Sequence, residues 1–262
     1  MEKKTLLDRA ARTAEERTLL AHVLDKCEQC LTRNVPAHTD FLSPAEQRSA
    51  ADLLHAAAIH DGYVFLGGYA SAERRMLCFL PQWQEEAEDA DYMTALCCTL
   101  RAEDGVTHRD LLGSLMGLSI TRGKIGDILV TPERAQVIVS ADIAEYLLSN
   151  WTSAGRARVR VEPMALSELE IPEQKVREIR DTVATLRLDA VTASGFSISR
   201  ARAAELIASG RVQKNYRETT KPDAPVAQGD VISARGVGKF ELSEVGGLSR
   251  KGRTAILLRR YL

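Results

Sequence analysis

Long apolar runs are missing from this 262-residue chain. A helix that crosses a bilayer needs about 18 or more consecutive apolar residues. The longest apolar candidate, Ala50–Leu66, is broken by Asp52, His55, His60 and Asp61. A transmembrane helix is excluded on that ground, and no membrane partner is expected. The opening residues, Met1-Glu2-Lys3-Lys4-Thr5-Leu6-Leu7-Asp8-Arg9, carry acids and lack the apolar region and cleavage site of a secretory signal. Cysteine is scarce and odd in number, five in all, with no spacing that frames a set of disulfides. A cytoplasmic protein with reduced thiols is the expectation.

The usual catalytic signatures are also missing. Cys27-Glu28-Gln29-Cys30 has the spacing of a metal half-site, but no second CxxC supplies the other two of the four ligands that zinc takes. Two cysteines three apart on a helix share a face, and helix packing is the reading adopted for them. Cys97 and Cys98 are adjacent on a predicted strand and so point to opposite faces. Gly67-Gly68-Tyr69 lacks the spacing and strand-to-helix context of a phosphate loop and reads as a tight strand connection. His108-Arg109-Asp110 has no accompanying glycine-rich loop, paired lysine or DFG, and falls at a helix start. No catalytic residue, metal ligand or cofactor is predicted.

What the chain has is a divided charge. Its 35 Lys and Arg nearly balance 36 Asp and Glu, for a net of -1. Residues 183–262, however, hold 14 basic against 7 acidic residues, and residues 1–182 hold 21 against 29. The local nets are +7 and -8. Charge split this sharply points to an anion-binding module at one end.

The order of predicted elements is that of an α+β protein in three parts, 1–82, 90–165 and 183–262. In the first, Leu20, Val23, Leu24, Cys27 and Leu31 recur at helical spacing over 14–33, and a loop follows. Ser43-Pro44-Ala45-Glu46 spells a capping box with proline at the first helical position. The helix it opens is predicted to run to about His60 and to end at Gly62. Tyr63–Leu66 and Met76–Leu80 are predicted strands joined through Gly67-Gly68. The acidic stretch 85–91 reads as a linker or exposed helix.

In the second part, strands at 92–100, 125–130, 136–140 and from 158 on are interleaved with helices at 107–118 and 142–150, with a turn at 132–134. This β-α-β-β-α-β order matches the ferredoxin-like unit, shared with common single-stranded RNA-binding domains. Those domains stack bases on aromatics of their central strands. Gln136-Val137-Ile138-Val139 has none, and Tyr92 is the one aromatic of the other strand, so base stacking on this sheet is not supported. Residues 171–183 read as a connecting helix.

The third part opens with Arg187-Leu188-Asp189-Ala190-Val191 and a turn at Ser194-Gly195. A short helix follows, capped by Ser199 and ended by Gly210. Strands are predicted at 211–215 and after the turn at Gln228-Gly229, and two more flank the basic turn 249–253. Arg200 and Arg202 lie in the first turn of the helix, where free backbone amides already favour an anion. Lys214 and Asn215 leave the next strand, and Arg235 and Lys239 come from the strand pair beyond. Mixed guanidinium and ammonium groups suit a phosphate backbone, although charge alone is equally compatible with a solvated basic face.

The spacing Arg187-Leu188-Asp189, Ser199-Arg200-x-x-Ala203, Ile207-x-x-Gly210-x-Val212-x-x-Asn215, Gly229-Asp230-x-Ile232 and Arg235 resembles the S4 RNA-binding domain, an αL-type module, over roughly 55 residues. One departure is Asn215-Tyr216 where Asn-Gly is usual. The resemblance implies RNA contacts at Ser199, Arg200, Arg202, Lys214 and Asn215, with Arg187, Arg235 and Lys239 in the same cluster.

Upstream, Thr39-Asp40-Phe41-Leu42-Ser43-Pro44, Gly67-Gly68-Tyr69-x-x-Ala72-Glu73-Arg74, His108-Arg109-Asp110-x-Leu112-Gly113-x-Leu115-Met116 and Thr121-Arg122-Gly123-Lys124-Ile125-Gly126-Asp127-Ile128 are similar to the YlmH family. These are bacterial proteins with an N-terminal domain, a middle domain assigned to RNA binding and a C-terminal S4 domain, encoded in many cases near cell-division genes. Arg122 and Lys124, two cations in a glycine-containing loop, are the candidate RNA contact of the middle domain, against a plain solvated turn.

Membership implies a non-catalytic factor whose partners are large-subunit ribosomal RNA, tRNA, the large ribosomal subunit and a quality-control elongation factor of the RqcH type. Some members hold peptidyl-tRNA on an obstructed large subunit while alanine is added to the stalled chain. The alternatives are an RNA-modifying enzyme targeted by its S4 domain and a cell-division-linked scaffold.

Overall fold

The computed structural model describes residues 3–262 apart from Pro132, Gln174 and Arg250, and the side chain of Ala102. Pro132 of the turn expected at 132–134 and Arg250 of the basic turn at 249–253 thus lie outside the described residues. The chain divides into two compact units, 1–172 and 173–262.

The first unit begins with α1 (Lys3–Ala10) and α2 (Ala14–Arg33). Thr13 caps α2 by accepting the Glu16 N–H at 3.1 Å, and Asn34, at φ 53°, closes it. The buried stripe of α2 is Leu20, Val23, Cys27 and Cys30. Leu31, expected on that face, is 70% exposed, because the stripe steps from Cys27 to Cys30 and leaves the next position outside.

Residues 37–42, read as loop, form a strand, β1 (Ala37–Leu42), with Ala37, Thr39 and Phe41 buried in alternation. The capping box at Ser43 and Glu46 is present and opens α3 (Pro44–Ala56). This helix stops short of His60: Ala58 takes φ 58°, and the Ile59 N–H returns to the Leu54 carbonyl at 2.9 Å. With β2 (Tyr63–Leu66) and β3 (Arg75–Phe79), β1 makes an antiparallel sheet in the order β1-β3-β2. The acidic stretch holds only a single 3-10 turn, Asp89–Asp91.

The same unit continues with β4 (Met93–Thr99), α4 (His108–Gly117), β5 (Ile125–Val130), β6 (Arg134–Ser140), α5 (Ala144–Asn150), a small hairpin of β7 (Ser153–Ala154) and β8 (Ala157–Arg158), and β9 (Arg160–Met164). The sheet order β5-β6-β4-β9, all antiparallel, is the ferredoxin-like arrangement the sequence predicts. One face, through Leu96, Cys98, Val137 and Val139, packs on Leu111, Leu115, Leu147 and Trp151. From the other, Met93 and Ile138 join Phe41, Met76 and Cys78 in one buried cluster.

A polar joint flanks that cluster. The Asp127 carboxylate accepts from Tyr69 Oη at 2.8 Å and from the N–H groups of Glu73 (2.7 Å) and Arg74 (3.1 Å). Arg74 donates to the carbonyls of Ile125 and Phe41. Gly126 is required here, since a Cβ would lie 2.9 Å from the Phe41 ring.

The second unit holds β10 (Val176–Val183), α6 (Leu188–Phe196), α7 (Arg200–Ala208), β11 (Val212–Lys214), β12 (Arg217–Glu218), β13 (Val231–Ala234), β14 (Gly238–Leu248) and β15 (Thr254–Tyr261). Its sheet runs β10-β15-β14-β13-β11-β12. Leu188, Val191, Phe196, Leu206 and Ile207 of the helices share a core with Val212, Ile232, Phe240, Leu242, Ile256 and Leu258.

Two expectations are corrected here. Most of the predicted connecting helix at 171–183 is β10, paired with β15 in unbroken register from Val176↔Tyr261 to Val183↔Thr254. Ser194-Gly195 is not a turn but the last part of α6. Its glycine serves close packing, since a Cβ there would sit 2.4 Å from a Phe240 ring carbon.

Candidate nucleic-acid interface

The start of α7 is set by Ser199, whose backbone is extended and whose hydroxyl oxygen accepts the Arg202 N–H at 3.2 Å. Its side chain therefore caps the helix. Arg200, the first helical residue, reaches Asp189 in the first turn of α6. The Asp189 side chain is only 7% exposed and accepts from Arg187 (Nε 3.2 Å, Nη2 3.1 Å), from Arg200 (Nε 3.1 Å, Nη2 3.0 Å) and from the Ala190 N–H at 2.8 Å. Burial alone would raise this carboxyl's pKa. The hydrogen bonds from Arg187 and Arg200 outweigh it and hold the group below the ordinary aspartate value. Both guanidiniums stay 40% or more exposed, so two cations are fixed by one buried anion and the trio keeps a net positive charge at the surface.

Lys214 and Asn215 meet at a second acid. Asp230 receives Lys214 Nζ at 3.0 Å, Asn215 Nδ2 at 2.6 Å and the Ala227 N–H at 2.8 Å. Lys214 also donates to the Pro225 carbonyl at 2.7 Å, and Asn215 Oδ1 accepts the Val231 N–H at 2.9 Å. Asn215 (φ 50°) and Tyr216 (φ 63°) form the two-residue loop between β11 and β12, both left-handed as a type I′ hairpin requires. Tyrosine in place of the usual glycine leaves the handedness of this turn unchanged.

The remaining predicted residues are distributed more loosely. Arg202 pairs with Glu205 at 2.6 Å, one helical turn away. Lys239 Nζ lies 4.8 Å from the centre of the Tyr261 ring, a cation–π contact. Arg235 is exposed, and its guanidinium makes no ion pair among the described residues. Its backbone exchanges hydrogen bonds with Arg211: the Arg235 N–H donates to the Arg211 carbonyl and Arg211 Nη2 to the Arg235 carbonyl, each at 3.0 Å. Arg211 is a cation that sequence reasoning misses, although it stands directly after the Gly210 helix stop. Asp189 is missed as an organiser too, because its role depends on Arg200, eleven positions on.

Arg122 and Lys124 belong to the first unit and are engaged within it. Arg122 donates to the carbonyls of Ile125 and Gly126. Burial, reinforced by the neighbouring Arg74 charge, pushes its pKa down to about 10. Lys124 bridges Asp40 (3.1 Å) and Asp142 (2.8 Å). Burial opposes its charge, but the two carboxylates outweigh that and raise its pKa. Lys124 thus ties β1, through Asp40, to the ferredoxin-like layer, while Arg122 braces the start of β5.

Three family models match the chain: "YlmH, N-terminal" at residues 15–82, "Putative RNA-binding domain in YlmH" at 90–168 and "S4 domain" at 186–232. The "Ribosome-associated protein quality control protein P2" of Bacillus subtilis (strain 168) is 37% identical over 225 residues, covering 85% of this chain and 86% of that protein. The chain belongs to the YlmH family. The solved structure of the "Cell division protein ylmH from Streptococcus pneumoniae" shares its fold with a TM-score of 0.52 at 19% identity, covering 62% of this chain and 98% of that one.

Within this YlmH-family chain, the S4 match contains the Asp189 and Asp230 clusters whole, while Arg235 and Lys239 lie just beyond it. The "Putative RNA-binding domain" match contains Arg122 and Lys124. Cys27 and Cys30 are buried in the apolar core of the first sheet layer. Among the described residues no cluster of His, Cys, Asp and Glu could hold a metal ion, and no helix is long and apolar enough to cross a membrane.

Proposed function

We propose that this chain is a non-catalytic, cytoplasmic factor that binds RNA of the large ribosomal subunit through its C-terminal unit. The observation that carries this reading is the pair of exposed guanidiniums, Arg187 and Arg200, fixed on the buried Asp189 within the S4 match. Arg200 and Arg187 grip phosphate oxygens from the head of α6 and α7, and Arg211 and Arg235 extend the cationic surface. Lys214 and Asn215, held on Asp230, shape the hairpin beside it. In its finer form the proposal includes contact with tRNA as well as ribosomal RNA. It also includes support of alanine tailing on stalled large subunits, with an elongation factor of the RqcH type as partner. The name of the Bacillus subtilis relative supports that role. The working division is 1–82, 90–165 and 183–262, the last part carrying the main RNA contact.

The test is filter binding of the full chain to large-subunit ribosomal RNA and to tRNA between roughly 50 and 200 mM salt, where phosphate contacts make affinity fall steeply. Arg200→Ala with Arg235→Ala is expected to weaken binding and flatten the salt slope. Unchanged affinity and slope in this double variant would remove the C-terminal unit from the explanation. The appearance of a modified nucleotide in RNA incubated with the chain would overturn the non-catalytic part.

A further inference from the structure

Among the described residues, the two central strands of the ferredoxin-like sheet are covered on both faces over most of their length. Domains of this order that bind single-stranded RNA stack bases on their two central strands. Here Met93 of β4 and Ile138 of β6 are buried with Phe41, Met76 and Cys78, and the Gln136 side chain exchanges two 2.8 Å hydrogen bonds with the Glu170 backbone. Base stacking on the central strands is therefore blocked, Lys124 is engaged with Asp40 and Asp142, and Arg122 with the carbonyls of β5.

Along α4 lies a groove of about 550 Å³ whose lining includes Arg109, Gly113, Gly117, Asn150, Thr152 and Ser153. That volume is within the range of about 300–1,000 Å³ typical of small-ligand sites. The buried Trp151 also lines it, fixed by Nε1 donating to Ser114 Oγ at 2.9 Å. Gly113 and Gly117 stand one turn apart, and a Cβ at either would meet nothing within 4 Å. Glycine inside a helix costs about 1 kcal/mol relative to alanine; Gly113 lies inside α4 and Gly117 is its last residue, and no internal contact demands glycine at either place. Beside the groove, the β7–β8 hairpin turns at Gly155, where a Cβ would lie 3.3 Å from an Asp110 carboxylate oxygen. The hairpin carries Arg156 and Arg158, both exposed and without an ion pair among the described residues.

We infer that this groove and the arginine-bearing hairpin form a second RNA site, which takes the backbone of a single-stranded segment. Arg109, Arg156 and Arg158 meet phosphates, and one nucleotide enters the groove against the glycine side of α4. Asn150, Thr152 and Ser153 supply donors and acceptors for its sugar and base edges. The site rests on the RNA-binding reading proposed above but uses none of the C-terminal residues.

The full chain is titrated with a fluorescein-labelled oligouridylate over a salt series, and bound complexes are crosslinked by ultraviolet light for peptide mapping. Arg156→Glu with Arg158→Glu is expected to bind about tenfold more weakly, with a salt slope lower by about 1.4, the contribution of two phosphates on a single strand. Gly113→Gln with Gly117→Gln fills the groove without changing charge. It is expected to lose at least about fivefold in affinity while its melting temperature holds or rises, because glutamine is the better helix former. Crosslinks are expected in peptides spanning 108–118 or 150–158.

The Arg200→Ala with Arg235→Ala chain is run as the arm in which the C-terminal unit is impaired. Wild-type affinity and slope in both new variants, with crosslinks confined to 183–262, overturn this site and leave the C-terminal reading standing. Failure of the unaltered chain to bind any RNA overturns both.

Discussion

Arg200 reaches back from the first turn of α7 to the Asp189 carboxylate in α6, with Nε at 3.1 Å and Nη2 at 3.0 Å. A buried acid thus orients the cations of the proposed RNA-binding surface, and the consequence runs against simple charge counting. Asp189→Asn adds one positive charge to the unit, which by net charge alone would tighten RNA binding. It also removes the anchor of Arg187 and Arg200 and sets an amide N–H₂ against their donors. The expected outcome is RNA binding weakened several-fold, together with a stability loss of about 1.5–3 kcal/mol. Filter binding and urea unfolding of the same preparation check both.

The same acids give the C-terminal unit a defined acid limit. The pKa values of Asp189 and Asp230 are both held below the ordinary value of 3.8: burial raises each, but hydrogen bonds and ion pairs prevail. A carboxyl with a depressed folded-state pKa contributes stability that is fully present above its unfolded pKa, near pH 4. That contribution is lost as pH falls through the folded value. Unfolding free energy is therefore expected to decline below about pH 4, and to decline less steeply in Asp189→Asn and in Asp230→Asn. Equal acid slopes in all three chains would count against this assignment.

Elements whose signals are local were legible from the residues. The bounds of α2, the capping box at Ser43 and Glu46 and the βαββαβ order follow from spacing and caps alone. Strand β10 was not legible: Val176, Ile179 and Val183 fall at helical steps, and the charge between them looks like a helix surface. It is an edge strand, paired only with β15, and its charges are exposed for that reason. The site divides in the same way. Arg200 and Arg235 are candidates from residue type and spacing. The partners of Lys124, Asp40 and Asp142, are distant in sequence, so the engagement of this loop with β1 could not be read from its own residues.

The polar joint at Asp127 makes its own prediction. Asp127 accepts Tyr69 Oη and two backbone N–H groups, and its loss takes the partner from the half-buried Tyr69 and Arg74 donors beside the buried Phe41–Ile138 cluster. Asp127→Ala is expected to destabilise the first unit by about 3 kcal/mol. Amide exchange in β1 and β5 should accelerate, because Asp127 ties β5 directly to the 69–74 turn, and Arg74 of that turn in turn holds the Phe41 carbonyl of β1. Unaltered exchange there would mean that the apolar cluster alone holds the two layers.

Variants of Lys214 and Arg235 test whether holding the fold and holding RNA fall to different residues. Lys214 is 27% exposed and bound to both Asp230 and the Pro225 carbonyl. Its removal orphans part of a buried acid, so Lys214→Ala is expected to lower stability by about 1–3 kcal/mol. At a temperature where the variant is fully folded, its salt slope should stay near that of the unaltered chain. Arg235 is exposed with no ion pair among the described residues, so Arg235→Ala should leave stability within about 0.5 kcal/mol. It should nonetheless reduce the salt slope of RNA binding by about one, the signature of a missing phosphate contact. Measuring both quantities on both variants decides the matter. A slope that falls with Lys214 would place that ammonium on a phosphate as well as on Asp230. A slope untouched by Arg235 would move the contact surface back toward Arg187 and Arg200.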